Sequence, residues 1–486
     1  MDRAKVIKDR LREGLPRAAF YLALFYAVML LFNAKYGIIA SFTGAAFDFN
    51  WKKRLSVPEV AILAILQMVA CSFGCLASLN VGLRIACNAL FPFIWILLRS
   101  SPFNPKGYLV GIITFMLIQL VPFERGEIPY VMGIVAFATL CLAVTLLIMQ
   151  RFKSEGIEDS IIRQGLREIA SLLSSGSNKA DMLWDIERSM FKKSYSGHNL
   201  MHTYARGEHL YYIFALIFQR AAYYVIDRRN AEINRENVGG QKRLTAFLEH
   251  AANAMNRDDN ERLIEEARRM FKEGDGLTGH FGALYHNTLR LIILAFKEMT
   301  SGTSHKERFR VKRYLQNLRN HLELNSFELR FALRMSIVMT FCLAFMDLIN
   351  SEHSYWLAAN AFVIIQPMYD DSVTRVQARL VGSLVGCLPA YAAYMIMPGM
   401  TAMYVFFTAM IICLYMSAPG KWVQSVFATA CGVSMASITL GGGAAVGYRL
   451  MYLAIAAALV YCVNKFIFPS TKHKRFLFHI QSLYHM

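Results

Sequence analysis

Two arginines one helical turn apart, Arg375 and Arg379, are the residues of this chain best suited to bind an anion. A guanidinium stays charged and its planar fork matches a carboxylate bidentately, so two forks on one helix face can hold one carboxylate. Around them, Tyr355, Trp356 and Tyr369 offer faces for an aryl ring. An acidic turn of Asp370, Asp371 and Ser372 precedes the arginines. Such residues cap a helix start and suit its dipole, whereas arginines there do not, so another interaction is expected to keep them. Arg334 and Lys465 sit just inside other apolar stretches and are candidates for the same inner vestibule, Lys465 also by snorkelling to the interface. Two readings stay open for the arginine pair. One is anchoring to lipid phosphate, which also orients the chain. The other is an anion-binding fork, because ionisable groups at span depth mark pathways.

Other chemistries find less support. His198 and His202 are spaced i, i+4 and His209 follows eleven residues after the first, a spacing that zinc ligands could use on one continuous helix. Gly207 interrupts that geometry, and surface or interface histidines are preferred, so no metal or other cofactor is expected. No GxxxxGK[ST] loop is present, and GGGAAVG lacks the strand and helix context of a phosphate cradle. Nothing resembles a paired-carboxylate or nucleophile–histidine arrangement, so the chain is not read as an enzyme.

The elements that must position the arginines are set by composition. Of 486 residues, 55% are hydrophobic and 18% charged, and the mean hydropathy is +0.34. Those values place the chain among membrane proteins. The nine cysteines all lie in apolar segments and read as small apolar fillers, Cys71 and Cys75 included. Uncharged runs near 17–34, 36–48, 58–79, 82–98, 106–122 and 128–149 predict six spans, the first retained rather than cleaved. Six more are predicted near 329–349, 355–369, 374–396, 400–417, 421–440 and 446–468. Some runs are too short to cross a hydrocarbon core of roughly 30 Å without shelter from neighbouring helices. After the arginines, Gly382, Ser383 and Gly386 form a small-residue face of the kind that lets helices approach closely.

With a cytoplasmic N-terminus, the loops expected inside carry Lys52, Lys53, Arg54, Arg99, Lys106, Arg375, Arg379 and Lys421, followed by the basic tail. Arg84 and Arg449 are exceptions, each placed near an outer end. The net charge of +18 is therefore orientation charge and contact with anionic lipid, not a nucleic-acid surface. The halves repeat: Ser56-Val57-Pro58-Glu59-Val60 matches Ser372-Val373-Thr374-Arg375-Val376 at an offset of 316, and Cys71 falls on Cys387. Six spans per half give the two halves one orientation, related by an axis along the membrane normal. Glu59 and Leu63 replace Arg375 and Arg379 in the first half, so the site is expected to be asymmetric.

Between the halves, residues 150–326 hold 28 Lys or Arg against 22 Asp or Glu. Helical spacing of Ile157, Ile161, Ile162, Leu166, Ile169, Leu172 and Leu173 predicts an α-helical cytoplasmic domain. The expected fold is thus an all-α integral membrane protein. It has two six-helix transmembrane halves (1–149 and 327–469), that domain between them, and a basic tail from 470 to 486.

The succession from Tyr355 to Gly386 resembles the fusaric-acid-resistance-like (FUSC) family of membrane transporters. Its Tyr-Trp pair, Pro-containing turn and paired-Arg, glycine-bearing helix occur in that family in this order. The resemblance is clear in the second half and faint in the first. It implies a bacterial inner-membrane exporter of organic, notably aromatic carboxylic, anions, driven by the proton gradient. It further implies contact with the lipid bilayer, pairing with a periplasmic membrane-fusion protein and a homo-oligomeric form. Plant aluminium-activated malate transporters look like distant relatives. An anion channel and a non-transporting envelope or scaffold protein are the alternatives. The topology predicts that a cysteine introduced at position 350 is labelled from the periplasmic side and one at position 240 is not. Labelling at 240 would reverse the assignment.

Overall fold

The computed structural model describes residues 3–53, 55–100, 104, 106–121, 123–152, 157–175, 180–194, 208–227, 238–254, 259–274, 276–277, 279–301, 322, 326–349, 354–367, 369–396, 399–418, 421–440 and 442–467. Among them there is no strand, and the chain is an all-α integral membrane protein. The first six helices are α1 (Arg3–Leu31), α2 (Ile38–Asn50), α3 (Val57–Ala77), α4 (Val81–Arg99), α5 (Leu109–Ile118) and α6 (Ile128–Phe152). The last six are α13 (Phe327–Ile349), α14 (Tyr355–Ile364), α15 (Tyr369–Ile396), α16 (Met400–Met416), α17 (Trp422–Leu440) and α18 (Gly442–Phe466). A helix stands at each of the twelve runs read from hydropathy. Seven are long and apolar enough to cross a membrane; α5, α14, α16 and α17 are apolar but shorter. At 1.5 Å per residue, the ten residues of α14 extend only about 15 Å.

Chain contacts divide the molecule into a unit of residues 1–100, 105–152 and 316–486 and a second of 101–104 and 153–315. The second unit holds α7 (Ile157–Ser175), α8 (Asp181–Ser194), α9 (Glu208–Asp227), α10 (Val238–Ala254), α11 (Asn260–Glu273) and α12 (Gly279–Ser301). Ile162, Leu166, Ile169 and Leu173 are buried with Phe214, Phe218, Phe247 and Phe296 in one core, as their helical spacing requires. His198 and His202 lie outside the described residues. His209 pairs with Glu298 at 2.6 Å.

Within the first unit the repeat shows in the packing. α3 lies on α5 and α15 on α17; α2 lies on α6 and α14 on α18. Between the halves, α1 packs on α16 and α13 packs on α4, so the first helix of each half meets the fourth helix of the other. A two-fold relation between the halves produces that reciprocal exchange. The arginines of the two first helices behave alike. Arg17 donates from Nε to the Glu13 carbonyl at 2.8 Å, and Arg334 donates from Nε to the Arg330 carbonyl at 3.2 Å. Each then reaches towards the short second helix of its own half. Arg17 Nη1 meets Asp48 at 2.9 Å on α2, and Arg334 Nη2 bonds the Pro367 carbonyl just beyond α14. Arg334 Nη1 also donates to Asn464 Oδ1 at 2.9 Å on α18. The fully buried Arg334 thus ties three helices where α14 has ended and the backbone carbonyls need donors.

The small-residue face of α15 lies on α17. A Cβ at Gly382 would collide with Ser425 and the Trp422 carbonyl, and one at Gly386 with the Val426 carbonyl. Between them, the Ser383 and Thr429 hydroxyls bond across the helices at 3.0 Å, both buried. The first half uses the same device at Gly74, where a Cβ would meet Ile118 and the Phe115 carbonyl of α5.

Two variants test this packing. Gly386→Leu must displace backbone and should lose about 3 kcal/mol or more of stability, the upper range for overpacking. Gly133→Leu on α6, where nothing lies within 4 Å of an added Cβ, should leave the thermal midpoint in detergent unchanged. Arg334→Met should cost about 1–3 kcal/mol for each acceptor that it strands, with Arg334→Lys recovering part. An unchanged midpoint in the Met variant would remove the tie from the account.

Candidate functional site

The spacing of Arg375, Arg379, Gly382 and Gly386 puts all four on one face of α15, because each step is three or four residues along a helix of period 3.6. The glycines bring that face against α17; the arginines occupy the turns before the close approach. Arg379 is partly buried and lies within electrostatic reach of both Arg375 and Arg449. Arg375 also acts electrostatically on Tyr108, which is buried next to the start of α5. Among the described residues no ion pair forms at Arg375, Arg379 or Arg449. Three cations therefore gather without a carboxylate partner among the described residues.

Arg449 stands beside the start of α14. It lies on α18, is 7% exposed, and turns its guanidinium over the Trp356 ring at 5.4 Å from the centroid. Arginine stacks well on an indole face, which also fixes the plane of the fork. Tyr355 and Cys387 lie within its electrostatic reach, and Gly432 on α17 leaves it room: a Cβ there would stand 4.0 Å from Cζ and Nη1. Arg449 Nε has no hydrogen-bond partner among the described residues. One turn along α14 from Trp356, the buried Asn360 also leaves its Nδ2 without a described partner.

The residues singled out from sequence fall into separate groups. Arg375 and Arg379 stay together, and Arg449 joins them. Tyr355 touches Trp356 edge-on at 5.7 Å between centroids, but one face of the Trp356 ring is taken by Arg449. Tyr369 begins α15, and its side chain lies outside the described residues. Arg334 is fully buried and donates to Arg330, Pro367 and Asn464. Lys465 lies near the Tyr461 and Phe466 rings, 5.5 and 5.6 Å away, at the end of α18. Hydropathy alone could not show what Arg449 faces, because distance from a helix end says nothing of the neighbouring helix. The usable signal was an arginine flanked by apolar residues with no acidic residue on its own helix.

The departure of the first half also has a local cause. At the place of Arg375, Glu59 Oε2 accepts from the Ser56 backbone N–H at 2.6 Å and from its hydroxyl at 2.8 Å. That position caps α3. In the second half Ser372 instead accepts from the Gln366 N–H at 2.9 Å, bracing the break after α14.

Comparison with known proteins bears on the same stretch. The family described as "Fusaric acid resistance protein-like" matches residues 341–463, about a quarter of the chain. "Inner membrane protein YccS" of Escherichia coli (strain K12) is 33% identical over 69 residues, which cover 14% of this chain and 10% of that protein. "Uncharacterized protein ORF2" of Neisseria gonorrhoeae is 24% identical over 161 residues, covering 32% of this chain and 38% of that protein. The chain thus spans well under half the length of either curated relative. No solved structure matches. The part of the chain that holds Arg379, Trp356 and Arg449 is therefore a match to the fusaric acid resistance protein-like family, the family that its sequence resembles.

Proposed function

We propose that this membrane protein exports organic anions, with aromatic carboxylates as the substrate class, across a bacterial inner membrane. The observation that carries the reading is the set of three arginines, Arg375, Arg379 and Arg449, gathered without a carboxylate among the described residues. A cation taken out of water is costly unless an opposite charge meets it, and the attraction for an incoming anion is correspondingly strong at low dielectric. Two forks one turn apart on α15 receive the carboxylate from the cytoplasmic side, and Tyr355 and Tyr369 contribute the ring contacts. Trp356 acts through the guanidinium it carries. The family match and the inner-membrane relative support transport and location. The proton gradient is the proposed driving force, and a periplasmic membrane-fusion protein the proposed partner. A homo-oligomer is the proposed assembly.

Removing one charge-assisted hydrogen bond costs about 1.5–3 kcal/mol, or roughly ten- to hundredfold in affinity. Arg379→Gln should therefore lower substrate affinity for organic-anion uptake into inverted vesicles by at least about tenfold. Arg379→Lys should recover part, since charge returns without the fork. Transport against concentration, with and without a pH gradient, measures both points. Flux that ignores the pH gradient would replace the pump by a channel, and no flux at all would favour the scaffold. Unchanged kinetics in the Gln variant would return the arginines to lipid anchoring.

A further inference from the structure

We propose that Arg449 is a second anion station, in which a small monovalent anion binds the guanidinium edge while Trp356 holds its face. The inference deepens the transport reading and rests on it only for the identity of the anion. Three independent features of the fold converge there. First, the side chain is more than nine-tenths buried and its Nε finds no protein acceptor among the described residues. Second, the protein supplies a support rather than a neutraliser: an indole face at 5.4 Å on one side and the bare backbone of Gly432 on another. Third, the neighbouring charge is Arg379, which raises the cost of the empty state by like-charge repulsion. The same first half-turns of the fold show what a structural arginine looks like. Arg17 and Arg334 each bond three acceptors or more on helix ends and side chains, whereas Arg449 does not.

Asn360, one turn along α14 from Trp356, is buried and its Nδ2 is a further neutral donor without a described partner. A monovalent carboxylate or halide meets the guanidinium edge without needing a proton. A dianion would bring more charge than one fork and one amide can match. Arg379 lies within electrostatic reach, so an anion leaving the α15 forks moves towards another cation instead of into an apolar barrier.

The test uses the full-length chain in detergent at pH 7, at constant ionic strength with a zwitterionic buffer, and sodium benzoate as the probe. In the parent protein the thermal midpoint should rise saturably with benzoate, by the linkage of binding to stability. Arg449→Met should raise the midpoint at the lowest anion concentration, since an unneutralised buried cation is gone. It should also weaken the benzoate response at least tenfold. Arg449→Lys should keep a response at weaker affinity. A saturable rise with sodium chloride too would assign the station to small monovalent anions in general; a rise with benzoate alone would assign it to carboxylates. Trp356→Leu keeps the charge but frees the fork, and should weaken the benzoate response several-fold even if the Met variant fails to fold. A Met variant with a lower midpoint and an unchanged benzoate response would overturn the station, as would an unchanged response in Trp356→Leu. If Arg379→Gln impairs transport while Arg449→Met transports like the parent, the transport reading stands and this one falls. A parent that moves no anion yet shows the benzoate response dependent on Arg449 gives the reverse result.

Discussion

A guanidinium held away from water must find acceptors, and the membrane unit is organised by how that demand is met. Each fork has five N–H donors and cannot lose its charge, so burial without partners is among the least favourable arrangements a side chain can take. Arg17 and Arg334 meet the demand with carbonyls, Asp48 and Asn464, and in doing so fasten the opening helix of each half to its neighbours. Arg334 in particular lets α14 stop after ten residues, because the carbonyl of Pro367 gains a donor inside the bundle. Arg375, Arg379 and Arg449 are not met in this way. The fold thus separates arginines that hold it together from arginines that it leaves ready for something else.

The repeat explains how both kinds arise from one plan. Corresponding helices pack on corresponding helices, and the halves exchange their first and fourth helices. Small residues serve the same contact in both, Gly74 against α5 and Gly382 and Gly386 against α17. The divergence lies in the residues just before that contact. Glu59 closes a cap on α3, which needs only local partners, while Arg375 at the matching place forms no ion pair among the described residues.

Much of this was legible in the sequence. The twelve apolar runs stand as helices because hydropathy and breakers report directly on which backbone can leave water. The arginine–glycine face of α15 was legible because all its members sit on one helix, where spacing alone decides what shares a face. The contacts of Arg449 and Arg334 were not legible, for the opposite reason. What distinguishes them is a partner on another helix: Trp356 for one, Pro367 and Asn464 for the other. Linear position along a span gives the depth of a residue but not the direction it faces. The short extent of α14 was equally hidden, since the uncharged run continues to Tyr369 while the helix ends at Ile364.

That short helix has an electrical consequence. A membrane potential is a voltage drop across whatever low-dielectric material separates two conducting solutions, and the field is steepest where that material is thinnest. A helix of about 15 Å fills only about half of a hydrocarbon core. Where solution reaches both of its ends, a fixed charge there senses a change of voltage over a compressed distance. Each elementary charge carried across the full drop is worth about 2.3 kcal/mol per 100 mV. Arg449, stacked on Trp356 near the start of α14, and Arg334, bonded just beyond its end, bracket that interval.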